Sequence, residues 1–99
     1  MKLSFELSSL ALKDLEGIWD YTAEQWSKEQ ANKYYMQIFT AINNICSNPK
    51  VGTTIDEIKK DHRKIIVKSH MIIFKKKSDT IYIDRILHQR MDINKQIYE

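Results

Sequence analysis

The stretch "RKIIVKSHMIIFKKKSDTIYIDRILH", residues 63–88, decides the fold of this 99-residue chain. Its segments "RKIIV", "HMIIFKK" and "TIYIDRIL" are rich in β-branched and aromatic residues, which favour strands. Only the short turn sequences "KS" and "KSD" separate them. Because consecutive strands with connections this short pair antiparallel, the stretch predicts a three-stranded antiparallel meander.

Two helices are predicted before the meander. Apolar side chains recur at helical spacing in "LALKDLEGIWDYTAEQW", residues 10–26, and again in the segment that follows. Between the two, "SKEQ" at 27–30 matches a capping box, in which Ser27 accepts a hydrogen bond from the amide of Gln30. Helices joined this tightly form an antiparallel hairpin. The stripes it would bury are Ala11, Leu15, Ile18, Trp19, Thr22 and Trp26, and Ala31, Tyr34, Ile38, Ala41, Ile42 and Ile45.

The opening segment "KLSFEL", residues 2–7, alternates apolar and polar residues, which predicts a short half-buried strand. The element order is therefore β-α-α-β-β-β, with "KVGTTIDEIKKDH", residues 50–62, as a loop. This order predicts the α+β class, with the helical hairpin packed on an antiparallel sheet. A chain of this length has room for one core, so we expect a single domain over residues 1–99.

Composition limits the functional classes. With 42% hydrophobic and 29% charged residues, the chain is typical of a folded globular protein. No apolar run approaches the roughly 20 residues of a membrane helix or the pattern of a signal peptide. The single cysteine, Cys46, has no intramolecular disulfide partner and suits a reducing compartment. We expect a cytoplasmic protein with no membrane partner and no metal site.

Charge is distributed unevenly along the chain. Residues 1–49 hold four lysines against six acidic residues, whereas residues 50–99 hold twelve Lys or Arg against seven acids. The two halves therefore carry −2 and +5. A basic second half suits either a nucleic acid or an acidic protein segment as partner.

The basic cluster "RILHQRMD", residues 85–92, is the main candidate site. Strict alternation along the last strand predicts one face made of Ile81, Ile83, Arg85 and Leu87. Arg85 would then interrupt an apolar row, and because an unpaired buried guanidinium is costly, we expect an acid to hold it. Candidate acids include Glu6, Asp14 and Asp92.

The aromatic residues of the hairpin favour helix packing over a base-stacking platform. Such a hairpin can leave a groove beside the sheet that accepts an amphipathic partner segment.

Several segments resemble, in order, the ParE toxins of type II toxin–antitoxin modules. They are "ALKDLEGIWDYTAEQWSKEQANKYY", "NPKVG", "DEIKKDHRKIIVKSHMIIFKK" and "IDRILHQRMDI". The similarity extends from about Leu7 to Ile93, nearly the whole chain.

The resemblance implies the strand-helix-helix-three-strand fold shared with RelE toxins, and it implies no cofactor. For the ParE branch it implies neutralisation by a ParD-like antitoxin and inhibition of DNA gyrase. The RelE branch instead cuts messenger RNA on the ribosome with clustered basic side chains and a C-terminal aromatic residue or histidine. That RNase activity remains the alternative, and a non-toxic, basic nucleic-acid-binding domain is a third hypothesis.

The lysine-rich catalytic set of the RNase branch is not visible in this sequence, so we expect no catalytic residues and interpret the basic cluster as a partner-binding rim. Direct nucleic-acid binding is disfavoured on the same reasoning. The segment after Leu87 is expected to lack regular structure and to reach the target, away from the antitoxin. The predicted target-binding residues are Arg63, Arg85, His88, Arg90, Met91 and Asp92. The predicted antitoxin-binding residues are Trp19, Trp26, Tyr34, Ile38, Arg63 and Lys64.

Overall fold

The computed structural model describes residues 2–98. It contains five strands and three helices over these residues, and it confirms the predicted α+β class. In chain order the elements are β1 (Ser4–Leu7), α1 (Ser9–Gln25), α2 (Lys28–Ser47), β2 (Thr53–Thr54), β3 (Arg63–Val67), β4 (His70–Lys77), β5 (Thr80–His88) and α3 (Ile93–Tyr98).

The sheet has the strand order β1-β5-β4-β3-β2. Its centre is the predicted antiparallel meander of β3, β4 and β5. Two edges add to it: β1 pairs parallel with β5, and the two-residue β2 pairs antiparallel with β3. The parallel edge follows from the helical hairpin, which carries the chain from β1 across one sheet face before the meander begins.

The two long helices begin at serine caps. The Ser8 hydroxyl accepts a hydrogen bond from the amide of Ala11, and Ser27 accepts one from Gln30 as the capping box predicts. The predicted stripes are confirmed at their centres, where Leu15 and Ile42 are buried. Trp26 is the exception, since it lies at the end of α1 with 77% of its surface exposed.

Apolar side chains cover both faces of the sheet. The main core lies between the hairpin and the sheet and includes Ile42, Phe74 and Ile83. A smaller cluster lies on the opposite face, where Ile58 and Ile93 cover a group of buried residues. That group is Ile55, Met71, Ile73 and Leu87.

A β-bulge near the middle of β5 changes which side chains face the hairpin. Arg85 pairs with Ile73 and Ile83 pairs with Phe74, which leaves Asp84 as an extra residue. The predicted strict alternation is therefore wrong beyond Ile83. Ile86 joins the main core, and Leu87 packs in the smaller cluster behind the sheet.

The open edge of β5 beyond β1 is closed by α1. The Ser8 amide donates to the carbonyl of Ile83 (3.0 Å), and the Ser8 hydroxyl donates to that of Asp84 (2.6 Å). One oxygen of the Asp14 carboxylate accepts from the amide of Ile86 (2.9 Å). These contacts satisfy backbone groups that have no neighbouring strand to pair with.

The same carboxylate holds Arg85. Nε of Arg85 donates to Oδ2 of Asp14 (2.8 Å), and Nη2 donates to Oδ1 (2.9 Å). The predicted acid partner is therefore confirmed, and among the acids named it is Asp14. The hydrogen bonds that Arg85 donates to Asp14 are the largest cause of the raised pKa of Arg85.

The chain beyond β5 is not irregular as predicted, because it forms α3. The Asp92 carboxylate accepts a hydrogen bond from the amide of Asn94 at the start of this helix (2.9 Å). Ile93 packs on the smaller cluster, and the carbonyl of Gln96 accepts from Nη1 of Arg85 (3.1 Å). The segment is thus attached to the domain. Of the helices within residues 2–98, none has the length and apolar character needed to cross a membrane.

Removal of the Asp14 carboxylate should be costly. Asp14→Ala leaves the largely buried Arg85 guanidinium and the amide of Ile86 without their partner, so we expect a loss of about 3 kcal/mol in the free energy of unfolding. Urea denaturation followed by circular dichroism measures it. Asp20→Ala, an exposed acid on the same helix, should change stability by less than about 0.5 kcal/mol. Equal losses of stability in the two variants would contradict a stabilising role for the contacts of Asp14 with Arg85 and Ile86.

The two glycines should respond to alanine with opposite signs. Gly17 lies in α1, and a Cβ added there meets nothing within 4 Å, so Gly17→Ala should stabilise by up to about 1 kcal/mol. Gly52 has a φ of +83°, and its added Cβ would lie 2.2 Å from the carbonyl oxygen of Lys64. Gly52→Ala should therefore destabilise the domain in the same denaturation assay. A stable Gly52→Ala protein would refute the close approach.

Candidate functional site

A groove of about 1030 Å³ lies between the helical hairpin and the end of the sheet where the β3–β4 turn and the end of β5 meet. Its walls come from α1, from α2 and from that turn, and Met91 lies at its rim. Aromatic and apolar lining residues are Ile18, Tyr21, Trp26, Tyr34 and Ile86. The sequence predicted such a groove beside the sheet, and the structure contains one.

Two histidines face each other in this groove. His70 opens β4 and His88 ends β5, and the sheet register pairs them directly. Their ring centroids are 5.3 Å apart in an edge-to-face arrangement. Nδ1 of His70 is 2.6 Å from the hydroxyl of Tyr34. That hydroxyl donates its proton to the carbonyl of Val67 (2.9 Å).

The surroundings keep His70 neutral. Burial, followed by the nearby His88, lowers the pKa of His70 from its ordinary value of 6.5 to about 4, against the opposing effect of Asp14. Burial also raises the pKa of the Tyr34 hydroxyl, although backbone amides at Ser69 and His70 oppose this. At neutral pH the groove therefore contains an uncharged, hydrogen-bonded pair of these two side chains.

Positive charge surrounds this neutral pair. Lys13, Lys33 and Lys68 line the groove, and none of them forms an ion pair among the residues described. Exposed aromatic surface lies beside them, with Tyr21 at 65% exposure and Trp26 at 77%. The groove thus combines apolar area with lysine side chains, which suits an acidic segment that carries apolar anchors.

The predicted target-binding residues are divided by the fold. His88 and Met91 lie in the groove, and Arg85 lines it while held by Asp14. Arg90 is exposed just past β5, and Asp92 sits at the start of α3. Arg63 lies away from His88 along the sheet. It starts β3 and pairs with Phe74, whereas His88 pairs with His70, which faces Val67 at the other end of β3.

Arg63 has a structural partner set. Its guanidinium donates to the backbone carbonyls of Lys50, Val51 and Gly52, at 2.6 to 3.0 Å. Arg63 also lines a second cavity of about 700 Å³ together with three lysines of β4. Neither His70 nor His88 lines that cavity. The structure therefore places Arg63 apart from His88, although both are predicted target-binding residues.

The predicted antitoxin-binding residues are also only partly together. Trp26 and Tyr34 line the groove. Trp19 is half-buried in the hairpin, where its indole Nε1 donates to the amide oxygen of Asn32 (2.9 Å). Ile38 is a correction, because it is fully buried in the main core and offers no surface. Lys64 lies on β3 opposite Thr53, outside the groove.

Sequence reasoning missed His70, Tyr21 and the three groove lysines. The turn at Lys68–Ser69 was predicted and places His70 at the start of β4, which was the available signal. The partnership of His70 with His88 was not predictable, because the bulge at Asp84 shifts the register by one residue. Among residues 2–98, no three His, Cys, Asp or Glu side chains converge as a metal site requires.

Acidification should destabilise the protein through His70. Because its folded pKa of about 4 is below the unfolded value near 6.5, the unfolded chain binds more protons between these limits. The stability from neutral His70 is complete above pH 6.5 and is lost as pH falls towards 4, on the order of 1 kcal/mol per pH unit. Urea denaturation at several pH values measures it. His70→Asn keeps a donor for Tyr34 and should show a shallower dependence; an identical dependence would exclude His70 as the cause.

Comparison with known proteins agrees with this architecture. Residues 5–93 match the family model described as the ParE toxin of the type II toxin–antitoxin system parDE. Toxin ParE1 of Mycobacterium tuberculosis is 36% identical over 98 residues, covering 98% of this chain and all of that protein. Toxin ParE1 of Caulobacter vibrioides is 31% identical over 88 residues, 89% of this chain and 91% of that one.

A solved structure shares the fold. A chain of the chromosomal ParDE TA system from P. aeruginosa superposes with a TM-score of 0.76 at 20% identity, over 88% of this chain and 96% of that chain. The family match extends over residues 5–93, and the M. tuberculosis relative is matched over its full length. The chain therefore belongs to the ParE toxin family of type II toxin–antitoxin systems.

Proposed function

We propose that this chain is a toxin that inhibits DNA gyrase by protein–protein binding and is neutralised by a ParD-like antitoxin seated in the groove. The observation that carries the proposal is the groove itself, with exposed Trp26 and Tyr21 beside three lysines that form no ion pair within residues 2–98. Membership of the ParE family supplies the toxin–antitoxin context.

The groove suits a segment that folds as it binds. Ordering a flexible tail costs conformational entropy, which buried apolar anchors must offset. Trp26, Tyr21 and Ile18 provide apolar area along one wall. The lysines at the rim attract acidic residues, an effect that raises association rate and salt dependence more than affinity.

Residues expected to serve different partners share this groove. His88 and Met91, predicted for the target, lie in it with Trp26 and Tyr34, predicted for the antitoxin. An antitoxin segment bound there would cover His88 directly. Neutralisation by occlusion therefore replaces the expectation of separate surfaces.

One observation favours the RNase alternative. His70, His88 and Tyr34 lie together in a groove with lysines, and such side chains can transfer protons and bind phosphate. Against it, the cationic groups of Arg63 and Arg85 are held by backbone carbonyls and by Asp14. We keep messenger cleavage as the second candidate and design the test to separate the two.

Expression without an antitoxin should block growth and induce a DNA-damage response. The purified protein should inhibit gyrase supercoiling and trap cleaved DNA, while messenger on translating ribosomes stays intact. Co-expression with a ParD-like product of a neighbouring reading frame should restore growth and yield a complex. Site-specific messenger cleavage that disappears in His70→Ala would overturn the gyrase assignment.

Two variants test the groove. Trp26→Ala should weaken the antitoxin complex at least tenfold, because a large exposed anchor is lost. Tyr35→Ala, a partly exposed aromatic of α2 outside the groove, is the matched control and should change affinity little. Equal effects would refute the groove as the seat. His88→Ala should reduce gyrase inhibition in a protein that remains folded by circular dichroism.

A further inference from the structure

The hydrogen bonds around His70 determine where its ring proton lies. The Tyr34 hydroxyl has one proton, and it donates this proton to the carbonyl of Val67, which can only accept. The 2.6 Å contact with His70 must then be donated by Nδ1–H of the histidine. Since the low pKa keeps the ring neutral at pH 7, Nε2 of His70 carries a lone pair.

His88 has the opposite arrangement. The backbone amide of Arg90 donates to Nδ1 of His88 (3.2 Å), so this nitrogen has no proton in the neutral ring. The ring proton of His88 is therefore on Nε2. The two facing rings thus differ in tautomer, with an acceptor at Nε2 of His70 and a donor at Nε2 of His88.

Both Nε2 atoms are available to a ligand. Neither makes a hydrogen bond to another residue that the structure describes, and the two rings do not bond to each other. Every buried side-chain nitrogen or oxygen of the described residues has a partner. Both atoms must therefore have access to solvent, and both histidines line the groove.

We propose that His70 and His88 form a recognition site for a primary amide, the side chain of an asparagine or glutamine on the peptide that occupies the groove. A primary amide carries its N–H donor and C=O acceptor at one end of a compact group, which matches one acceptor and one donor side by side. A main-chain peptide group points its N–H and C=O in opposite directions. A carboxylate offers only acceptors, and an ammonium group offers only donors.

The identity of the peptide rests on the proposed antitoxin groove, but the chemistry of the site does not. The site would act as a specificity determinant, because a ligand lacking either half of the amide leaves a desolvated ring nitrogen unpaired. Ile18 and Ile86 line the same groove and offer apolar contact to the rest of the ligand. Tyr34 is a positioning residue, since it fixes the tautomer of His70 without touching the amide.

The first test needs no ligand. Nitrogen-15 NMR of the histidine-labelled, full-length protein at pH 7 distinguishes protonated from bare ring nitrogens. We expect a protonated Nδ1 and a bare Nε2 at His70, and the reverse at His88. Tyr34→Phe should let His70 populate both tautomers, whereas Tyr21→Phe, at another groove tyrosine, should leave the spectrum unchanged. Equal tautomers for the two wild-type rings would overturn the proposal, even if Tyr34→Phe fails to fold.

The second test uses four probes that share one aromatic ring: benzamide, N-methylbenzamide, benzoate and benzylammonium. Benzamide should shift the Nε2 signals of both histidines saturably, and His70→Leu should weaken its binding about tenfold, the size of one lost hydrogen bond. Benzoate should affect only His88, and benzylammonium only His70.

The remaining outcomes decide against the site. N-methylbenzamide binding as well as benzamide would indicate a main-chain amide instead. A charged probe that shifts both histidines equally, or benzamide that shifts neither, would also refute the proposal. None of these measurements involves gyrase or antitoxin, so failure of the proposed function and failure of this site remain distinguishable.

Discussion

The Asp14 carboxylate is the constraint on which the rest of the architecture depends. β5 continues past the end of β1. From Asp84 onward, the edge of β5 on that side therefore faces α1 instead of a strand. The carboxylate accepts hydrogen bonds from the amide of Ile86 and from two nitrogens of Arg85. Ser8 donates to the carbonyls of the two preceding residues, Ile83 and Asp84. One side chain thus joins α1, the end of β5 and, through Arg85, the carbonyl of Gln96 in α3. The helical hairpin is thereby tied to the end of β5, and both Asp14 and Arg85 line the groove between them.

Much of the fold was readable from the sequence because its signals are local. The β-branched segments, the two-residue turns and the serine caps each act within a few residues, so the meander and the hairpin were both predicted. That an acid holds Arg85 was predicted from the cost of an unpaired buried guanidinium, with Asp14 among the acids named. What could not be read was long-range, namely the parallel pairing of β1, the short β2 and the helix after β5. Those elements are stabilised by tertiary contacts, such as the packing of Ile93 on the smaller cluster.

The site was predicted less well, for one physical reason. Which β5 side chains face the groove depends on the bulge, and a bulge leaves no clear mark in a single sequence. In a regular strand without the bulge, Arg85 and Leu87 would face the hairpin, and His88 would face the opposite side of the sheet. Trp26 and Tyr34 do line the groove, since helical spacing places them without reference to the sheet. Ile38 was misplaced by the same reasoning, since spacing cannot distinguish the core side of a stripe from its edge.

The extra residue in β5 has a consequence for how relatives of this chain are aligned. Ile83 and His88 lie on the same face although five positions separate them, an odd interval that a regular strand does not permit. A relative with one residue fewer at Asp84 would have a regular ladder and would still present its histidine to the same groove. A relative that kept the extra residue but lacked the Asp14 carboxylate would lose the contacts that hold the bulge. If β5 then paired in the regular register, Leu87 would replace His88 opposite His70. Alignments of this family therefore need a one-residue gap allowed at this position, or the residues after it are assigned to the wrong face.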